Sequence, residues 1–263
     1  MSRFCTLCSS SSGNSSYIGY SGGGILIDAG MSAKQLILSL ERIGVDPNTL
    51  KAVFVTHEHS DHISGLRVFT SRFRLPIFGT VGTITELEHS GNICEKVPAY
   101  IIPEEGVEVG GMLVRSFETS HDSAESCGFA VEMPDGRKVS IITDTGYVTD
   151  DAFQKARASD LVFLESNYDL KLLAESSYPP FLKDRVTSRT GHLSNEDCSK
   201  AACRFLDTGT SRFVLGHLSR ENNTPQIARI ITKCALTRIG GVEGRDFRLN
   251  IAPAKGEGEM IIF

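Results

Sequence analysis

The residues best suited to chemistry lie in one short stretch, Thr56-His57-Glu58-His59-Ser60-Asp61-His62. Imidazole nitrogens and carboxylate oxygens are common ligands of divalent metal ions. A single His is usually a packed or exposed residue, but three His and one Asp within six positions are rarely brought together by chance. The stretch therefore predicts one half of a site for two metal ions.

A buried strand is predicted to position this stretch, because the apolar run Ala52–Val55 directly precedes it. Alternate residues of an extended chain point to the same side, so His57 and His59 can bind one ion together. A helical turn over Ile63–Leu66 would then direct Asp61 and His62 toward a second ion nearby.

Three further candidate ligands each stand just past a predicted strand: His121, Asp144 and His217. The strands are the runs Met112–Phe117, Lys138–Ile142 and Ser211–Leu215. The shared placement at strand ends indicates that these residues belong to the same site as the first stretch. His89, by contrast, lies in a polar segment with no preceding strand and is predicted to be an exposed residue at a helix end.

Asp28 and Glu165 also end predicted strands, Ile25–Ile27 and Asp160–Leu164. Asp28 is either a simple turn residue or the acceptor of a hydrogen bond from a ligand His. Both interpretations are open from the residues alone.

The order of predicted elements is strands first and then strands alternating with helices, twice over. This pattern predicts an α+β fold in which two sheets pack face to face with helices outside. The strands Phe4–Leu7 and Tyr17–Gly19 are predicted to be joined by a Ser-rich turn, Ser9–Ser15. No linker or repeat divides the 263 residues, so a single domain over residues 1–263 is expected.

The composition is that of an ordinary globular protein, with 40% hydrophobic and 22% charged residues. No apolar run approaches the roughly 20 residues that span a bilayer, and the first residues lack the apolar core of a signal peptide. Seven scattered Cys argue against a disulfide framework. We therefore expect a cytoplasmic protein with no membrane partner.

The net charge of −5 argues against a generally basic surface for nucleic acid. A local basic site is compatible with this value, so the charge alone leaves nucleic acid open as a partner.

The candidate ligands together resemble the motif set of the metallo-β-lactamase fold: His57, His59, Asp61, His62, His121, Asp144 and His217, with Asp28 before them. The resemblance covers nearly the whole chain. It implies an αββα sandwich of two mixed β-sheets with outer helices and a two-metal site along one edge.

Further stretches resemble the YycJ/WalJ (VicX) subfamily of that fold: Phe4–Leu7, Ser11–Ser15, Thr143–Val148, Leu164–Asn167, Gly191–Asn195 and Gly216–Asn223. Members are regarded as metal-dependent 5′-to-3′ exonucleases on double-stranded DNA. The chain departs from the pattern at Tyr168, where a His is expected, and at Cys8, where an Ala is expected. Neither position is a predicted ligand.

By similarity, one metal ion is held by His57, His59 and His121 and a second by Asp61, His62 and His217. The Asp144 carboxylate bridges the two ions. Such ligands suit Zn²⁺, Mn²⁺ or iron, and ions about 3.5–4 Å apart can share a hydroxide. Two dications, two carboxylates and that hydroxide leave a formal charge of about +1, which favours an anionic phosphodiester substrate.

His192 and Glu165 are candidate catalytic residues, because related tRNA-processing phosphodiesterases place a non-ligand His before the last metal His with a Glu behind it. His192 would protonate the leaving oxygen or bind the phosphate, and Glu165 would orient it. Asp61, besides binding metal, would accept the proton of the attacking water. The alternatives for Glu165 are structural support of the metal ligands or a cap of the following helix. The alternative for His192 is a cap of the helix that begins near Ser194.

The best candidates for contacts with the DNA backbone are Lys183, Arg185 and Arg189, in the segment expected to be a loop leading to His192. Ser219, Asn222 and Asn223 are further candidate phosphate donors. The alternatives are a solvated charged surface for the first group and a plain turn before the helix after Pro225 for the second.

The residues predict hydrolysis of a phosphodiester bond through a hydroxide held between two metal ions. That the substrate is duplex DNA, attacked from its 5′ end, is what the resemblance implies. A zinc β-lactamase would have Cys in place of Asp144, and an oxygen-reducing di-iron protein would have Glu in place of His59. The β-CASP nucleases insert a long domain, for which the 47 residues between Asp144 and His192 leave no room. A phosphodiesterase or thioester hydrolase for small molecules, or a metal-bound scaffold, remains an alternative.

Overall fold

The strands of the protein follow the apolar runs of its sequence, and the computed structural model describes residues 1–263. In chain order the strands are β1 (Arg3–Ser10), β2 (Gly13–Tyr20), β3 (Gly23–Ile27), β4 (Leu50–Phe54), β5 (Ile77–Gly79), β6 (Ala99–Ile101), β7 (Val107–Val109), β8 (Met112–Glu118), β9 (Cys127–Glu132), β10 (Lys138–Ile142), β11 (Leu161–Glu165), β12 (Arg212–Gly216), β13 (Arg248–Ile251) and β14 (Ile261–Ile262).

Nine α-helices connect or follow these strands. They are α1 (Ala33–Arg42), α2 (Ser60–Ile63), α3 (Leu66–Phe73), α4 (Val81–His89), α5 (Asp150–Ala156), α6 (Leu170–Glu175), α7 (Pro180–Thr187), α8 (Asn195–Asp207) and α9 (Pro225–Arg238). A 3₁₀ turn, Pro47–Thr49, leads into β4. None of the nine combines the length and the apolarity that crossing a bilayer requires.

The strands form two seven-stranded sheets, ordered β14-β1-β2-β3-β4-β5-β6 and β13-β12-β11-β10-β9-β8-β7. In the first sheet β1, β2 and β3 pair antiparallel, whereas β3 to β6 run parallel. In the second, β7 to β10 pair antiparallel and β10 to β13 run parallel. Both sheets are therefore mixed, and the predicted αββα sandwich is confirmed.

The interior between the sheets is a cluster of 20 buried apolar residues drawn from both. Within it Phe54 of β4 meets Phe129 of β9 edge to face, with ring centroids 5.6 Å apart. Two further clusters of 19 residues each lie between a sheet and its outer helices. Because both faces of each sheet are covered, β3 is buried along its whole length.

The helix starts follow the capping signals of the sequence. Ser32 caps α1 in a reciprocal capping box with Gln35. Ser194 caps α8 through a hydrogen bond from the backbone N–H of Asp197. Strands β9 and β10 pair antiparallel as a hairpin, and the second of them is the strand predicted before Asp144.

The predicted turn Ser9–Ser15 is present but much shorter than expected, at Ser11 and Ser12, because β1 continues through Ser10 and β2 begins at Gly13. Ser9, Ser10, Asn14 and Ser15 are buried strand residues whose side chains form hydrogen bonds within the fold. The Ser15 hydroxyl, for example, donates to the backbone oxygen of Asp28 at 2.8 Å. Composition typical of a turn therefore marked a polar strand interior.

The predicted loop before His192 is also wrong, because Lys183 and Arg185 lie on α7. This helix begins at Pro180 and buries none of its residues. It therefore lacks the apolar periodicity by which a helix is recognised in a sequence.

The predicted helical turn over Ile63–Leu66 is interrupted, since α2 ends at Ile63 and α3 begins at Leu66. A Cβ atom at Gly65 would lie 2.0 Å from the backbone oxygen of Met31. The segment at Met31 therefore packs directly against the backbone of Gly65, at the interruption between α2 and α3.

Candidate metal centre

The carboxyl ends of the parallel strands bring the predicted ligands to one edge of the sandwich. Asp28 follows β3 and the stretch from His57 follows β4, the strand paired with it. On the second sheet Asp144 follows β10, Glu165 ends β11 and His217 follows β12. Ligand sites of open α/β sheets are commonly built at such strand ends.

His57, His59 and His121 form one group of possible ligands, with ring nitrogens all within 4.8 Å of one another. The Nε2 atom of His57 is buried and has no hydrogen-bond partner in the protein. A buried polar atom without a partner is costly. The group therefore fits a divalent cation, which would supply the partner that Nε2 lacks.

Asp144 stands at the centre of the other possible ligands. Its Oδ2 atom is 3.2 Å from Nε2 of His62 and 2.9 Å from Nδ1 of His217, and its Oδ1 atom is 3.8 Å from Nε2 of His121. Asp144 belongs to two groups of possible ligands, one with His57 and His62 and one with Glu165, His192 and His217. This carboxylate therefore contacts possible ligands from both sheets.

Asp61 lies at the rim of the same cluster, with Oδ2 3.5 Å from Nε2 of His62 and 4.0 Å from Nε2 of His217. The seven predicted ligands are thus gathered in one place, although the tightest groups join His57 rather than Asp61 to His62. Imidazole and carboxylate donors together suit zinc, manganese or iron.

The buried carboxylates of the cluster favour positive charge on the groups around them. Burial alone would lower the pKa of His62, but Asp28 and Asp144 outweigh it and raise that pKa well above its usual value. For His217, Asp144 likewise outweighs burial and raises the pKa to about 9. Burial is opposed at Asp61 by the hydrogen bond and charge of His62, which lower the pKa of the carboxyl to about 2.

His57 differs, because burial and the neighbouring His62 lower its pKa well below the usual value. It is held as a neutral imidazole, the form in which His binds metal.

Asp28 supports the ligand His62 from the side away from Asp144. Its Oδ2 atom is 2.7 Å from Nδ1 of His62, and the carboxylate accepts hydrogen bonds from the backbone N–H and the hydroxyl of Thr56. The pair fixes the ring orientation of His62 and leaves its Nε2 atom facing Asp144.

Glu165 makes a matching pair with His192. Nδ1 of His192 is 2.7 Å from Oε1 of the fully buried Glu165, whose Oε2 accepts from the backbone N–H of Thr145. The carboxylate does not cap the next helix, since Asp169 caps α6. The His192 ring lies 5.2 Å from that of His121 and 5.3 Å from that of His217, so it adjoins both groups of possible ligands.

Three residues of the centre have left-handed backbone conformations: Asp28, Asp144 and His217 have φ of 62°, 51° and 54°. Each such residue costs about 1–2 kcal/mol unless its surroundings hold it. At His217 the backbone N–H donates to the hydroxyl of Ser9 at 2.6 Å. This strain is concentrated where three strands end and their chains must turn toward the ligands.

The three cations proposed for DNA contacts have different surroundings. Lys183 donates to the backbone oxygen of Ala174, and Arg185 makes a two-pronged ion pair with Asp122. Arg189 has no carboxylate partner and lies over the Tyr147 ring, with its guanidinium carbon 4.3 Å from the ring centroid. Arg189 is therefore the best placed of the three to contact a substrate.

Arg189 and Tyr147 line a cleft of about 370 Å³ together with two further cations, Lys200 and Arg204. The cleft begins at Gly146, two residues beyond Asp144. Of its three cations, Lys200 is ion-paired at 2.8 Å with Asp197, which also lines the cleft, so Arg189 and Arg204 are the cations without a carboxylate partner.

Ser219, Asn222 and Asn223 are engaged within the fold. The amide of Asn223 donates to the backbone oxygens of Ser166 and Asn167, and the Ser219 hydroxyl accepts from the backbone N–H of Asn222. Asn222 and Asn223 are both buried. These contacts correspond to the alternative interpretation, a turn before α9.

Sequence reasoning assigned no role to Asn14, whose amide nitrogen lies 3.1 Å from Oδ2 of Asp61 and 3.1 Å from Nε2 of His62. The only signal for it was its place in the stretch Ser11–Ser15, which resembles the YycJ/WalJ subfamily.

Comparisons with known proteins agree with this geometry. Residues 24–218 match the family model of the beta-lactamase superfamily domain. The chain is 34% identical to exodeoxyribonuclease YycJ of Bacillus anthracis over 249 residues, 94% of each chain. It is 34% identical to exodeoxyribonuclease WalJ of Streptococcus pneumoniae over 250 residues, 94% of this chain and 93% of the relative.

Among solved structures, the metallo-beta-lactamase fold protein YhfI of Bacillus subtilis superimposes with a TM-score of 0.73 at 17% identity, over 98% of this chain and 99% of the other. At that identity the likeness concerns the fold. The matched domain and the near full-length relatives place the chain in the beta-lactamase superfamily and, within it, in the family of YycJ and WalJ.

Proposed function

We propose that this protein is a metal-dependent exodeoxyribonuclease that hydrolyses phosphodiester bonds from the 5′ end of duplex DNA. The observation that carries the proposal is the position of Asp144, between His62 and His217 and beside the Glu165–His192 pair. A cluster able to bind metal ions thus adjoins an oriented imidazole that is not needed as a ligand. The relatives named as exodeoxyribonucleases support DNA as the substrate.

In this proposal His57, His59 and His121 would hold one divalent ion, Asp61, His62 and His217 would hold a second, and Asp144 would contribute its carboxylate to the centre. Bound there, two such ions would polarise the phosphodiester and lower the pKa of the attacking water. Zn²⁺ and Mn²⁺ both suit the donor set, and iron is compatible with it.

The chain's own residues supply the proton transfers. The Asp61 carboxylate, with its pKa of about 2, is ionised at neutral pH and accepts the proton of the attacking water. Glu165 accepts a hydrogen bond from the Nδ1–H group of His192, which leaves Nε2 free to act on the substrate. His192, as an imidazolium, then donates the Nε2 proton to the leaving oxygen as the phosphorus–oxygen bond breaks.

The cleft beside Tyr147 is the proposed path of the DNA strand. Arg189 and Arg204 would contact backbone phosphates, which position a nucleic acid without reading its sequence. Tyr147 is partly exposed and offers a ring edge or face to a base at the strand end.

The test is digestion of 5′-phosphorylated duplex DNA, labelled in turn at each end, across a panel of manganese, zinc and iron. We expect mononucleotides to be released from the 5′ end, and we expect Asp61→Ala and His62→Ala to abolish the release. Arg238→Gln, an exposed change in the last turn of α9, is the control.

Two results would contradict the proposal. Cleavage of bis(p-nitrophenyl) phosphate with every DNA substrate left intact would favour a small-molecule phosphodiesterase. Inactivity on both substrates with every metal would favour a non-enzymatic scaffold.

A further inference from the structure

A cavity of about 610 Å³ adjoins the metal centre, and no role described so far uses it. It lies between the tip of the β1–β2 hairpin, helix α1 and the segment 254–257 that leads to β14. Its volume is in the range of sites that hold small molecules or parts of larger substrates.

The cavity and the metal centre share a thin wall. Gly30 lines the cavity, and a Cβ atom there would lie 1.7 Å from the backbone oxygen of Asp61 and 2.5 Å from the backbone nitrogen of Asn14. The Asn14 amide in turn reaches the Asp61 carboxylate at 3.1 Å. One layer of backbone therefore separates the cavity from a proposed ligand.

The charge of the cavity is opposite to that of the protein as a whole. Arg42, Arg220 and Lys255 line it, and its single acidic residue, Glu257, is paired with Arg42 at 3.2 Å. Arg220 and Lys255 have no carboxylate partner. Two unpaired cations thus face one cavity of a chain whose net charge is −5, which favours an anionic ligand.

The other polar groups of the cavity suit phosphate oxygens. Five serines contribute to the lining: Ser10, Ser12, Ser32, Ser39 and Ser64. Hydroxyl and guanidinium donors in combination are typical of phosphate contacts.

Arg220 connects the cavity to the metal centre. It follows His217 by three residues, and its Nη2 atom lies 3.4 Å from the hydroxyl of Ser10. The neighbouring Ser9 holds the backbone of His217. Arg220 therefore belongs both to the lining of the cavity and to the connection that carries His217, a proposed ligand.

We propose that this cavity binds the phosphate of the nucleotide next to the scissile bond, with Arg220 and Lys255 as its contacts. The proposal rests on the proposed exodeoxyribonuclease function and deepens it by assigning a substrate subsite. The same chemistry would accept a terminal 5′-phosphate or an internal phosphate of the strand.

The first test compares Arg220→Gln and Lys255→Gln with the wild type and with Arg238→Gln, which lines none of the cavities described. Manganese-loaded proteins digest duplexes that carry either a 5′-phosphate or a 5′-hydroxyl. We expect KM to rise about tenfold in each cavity variant, the loss of one charged hydrogen bond, and to stay unchanged in the control.

The pattern of the loss identifies the phosphate. A loss confined to the 5′-phosphorylated duplex assigns the cavity to the terminal phosphate, whereas equal losses on both duplexes assign it to an internal one. Unchanged KM values on both duplexes in both variants would overturn the proposal.

The second test does not depend on nuclease activity. Thymidine 5′-monophosphate is titrated into metal-loaded protein while the backbone amide signals of Ser12, Gly13 and Gly256 are followed by NMR. We expect these signals to shift, and the apparent Kd to rise about tenfold in Arg220→Gln. If the wild type leaves DNA intact, the proposed function fails. If the NMR signals do not shift on titration, the cavity proposal is overturned, whatever the nuclease assay shows.

Discussion

The two halves of the metal centre are built in different ways. The half on the first sheet comes from one continuous stretch after β4, which carries His57, His59, Asp61 and His62. The half on the second sheet comes from separate connections, each of which contributes one residue: His121, Asp144, His192 and His217. A continuous motif can be recognised in a sequence, whereas a dispersed one becomes a site only through the fold.

The halves nevertheless share one device, a buried carboxylate 2.7 Å from an imidazole Nδ1 atom. Asp28 holds His62 in the first half, and Glu165 holds His192 in the second. In our proposal the first imidazole binds metal and the second transfers a proton. The same pair of groups would thus serve two purposes, depending on what faces the free Nε2 atom.

Asp144 contacts residues of both halves, so its replacement is expected to have the largest effect on the metal centre. We expect Asp144→Ala to lower kcat on duplex DNA by at least about 1,000-fold and to reduce the amount of bound metal. End-labelled digestion and elemental analysis measure the two effects. A variant with normal metal content and a near-normal rate would show that the halves work without a shared carboxylate.

Glu165→Gln tests the second half. We expect kcat to fall by up to about 100-fold because His192 loses its charged partner, while metal affinity stays unchanged. The double variant with His192→Ala should be no slower than His192→Ala alone, since both changes remove one function. A large loss of bound metal in Glu165→Gln would instead assign Glu165 to the support of the ligands.

Asp28→Asn is the matched change in the first half, and Asn tolerates the left-handed conformation at this position. We expect metal affinity to fall at least about tenfold, with the rate largely recovered at saturating metal. Titration against a competing chelator measures the affinity. If Asp28→Asn lowered the rate at saturating metal as Glu165→Gln does, the proposed division between the halves would be wrong.

The smallest effect is expected outside both halves, at Arg189. Arg189→Gln should weaken duplex binding severalfold and reduce the slope of log affinity against log salt by about one. Fluorescence anisotropy with a catalytically inactive Asp61→Ala background measures both. Arg238→Gln should leave the slope unchanged, and an unchanged slope in Arg189→Gln would exclude a phosphate contact there.

The fold and the strand ends could be predicted because they depend on local patterns. Apolar runs marked the strands, and candidate ligands stood directly after them. The pairing of Glu165 with His192 across 27 positions carries no local signal, and only the resemblance to related phosphodiesterases suggested it.

Other features depended on tertiary contacts that the sequence does not express. Ser9 and Asn14 have the composition of a turn, yet the fold buries them as strand residues that hold His217 and Asp61. Arg185 was expected to contact DNA. Its actual partner, Asp122, is 63 positions away, so the ion pair could not be recognised from the sequence. In each case a distant group decides what the side chain does.

The edge-to-face contact of Phe54 with Phe129 joins the strand that precedes the first half to a strand of the other sheet. Truncating either ring would leave a void into which the sheets could settle, and the ligand groups they carry would shift relative to one another. Ion selectivity, which depends on fine distances among donors, is therefore expected to respond to two aromatic side chains that coordinate nothing.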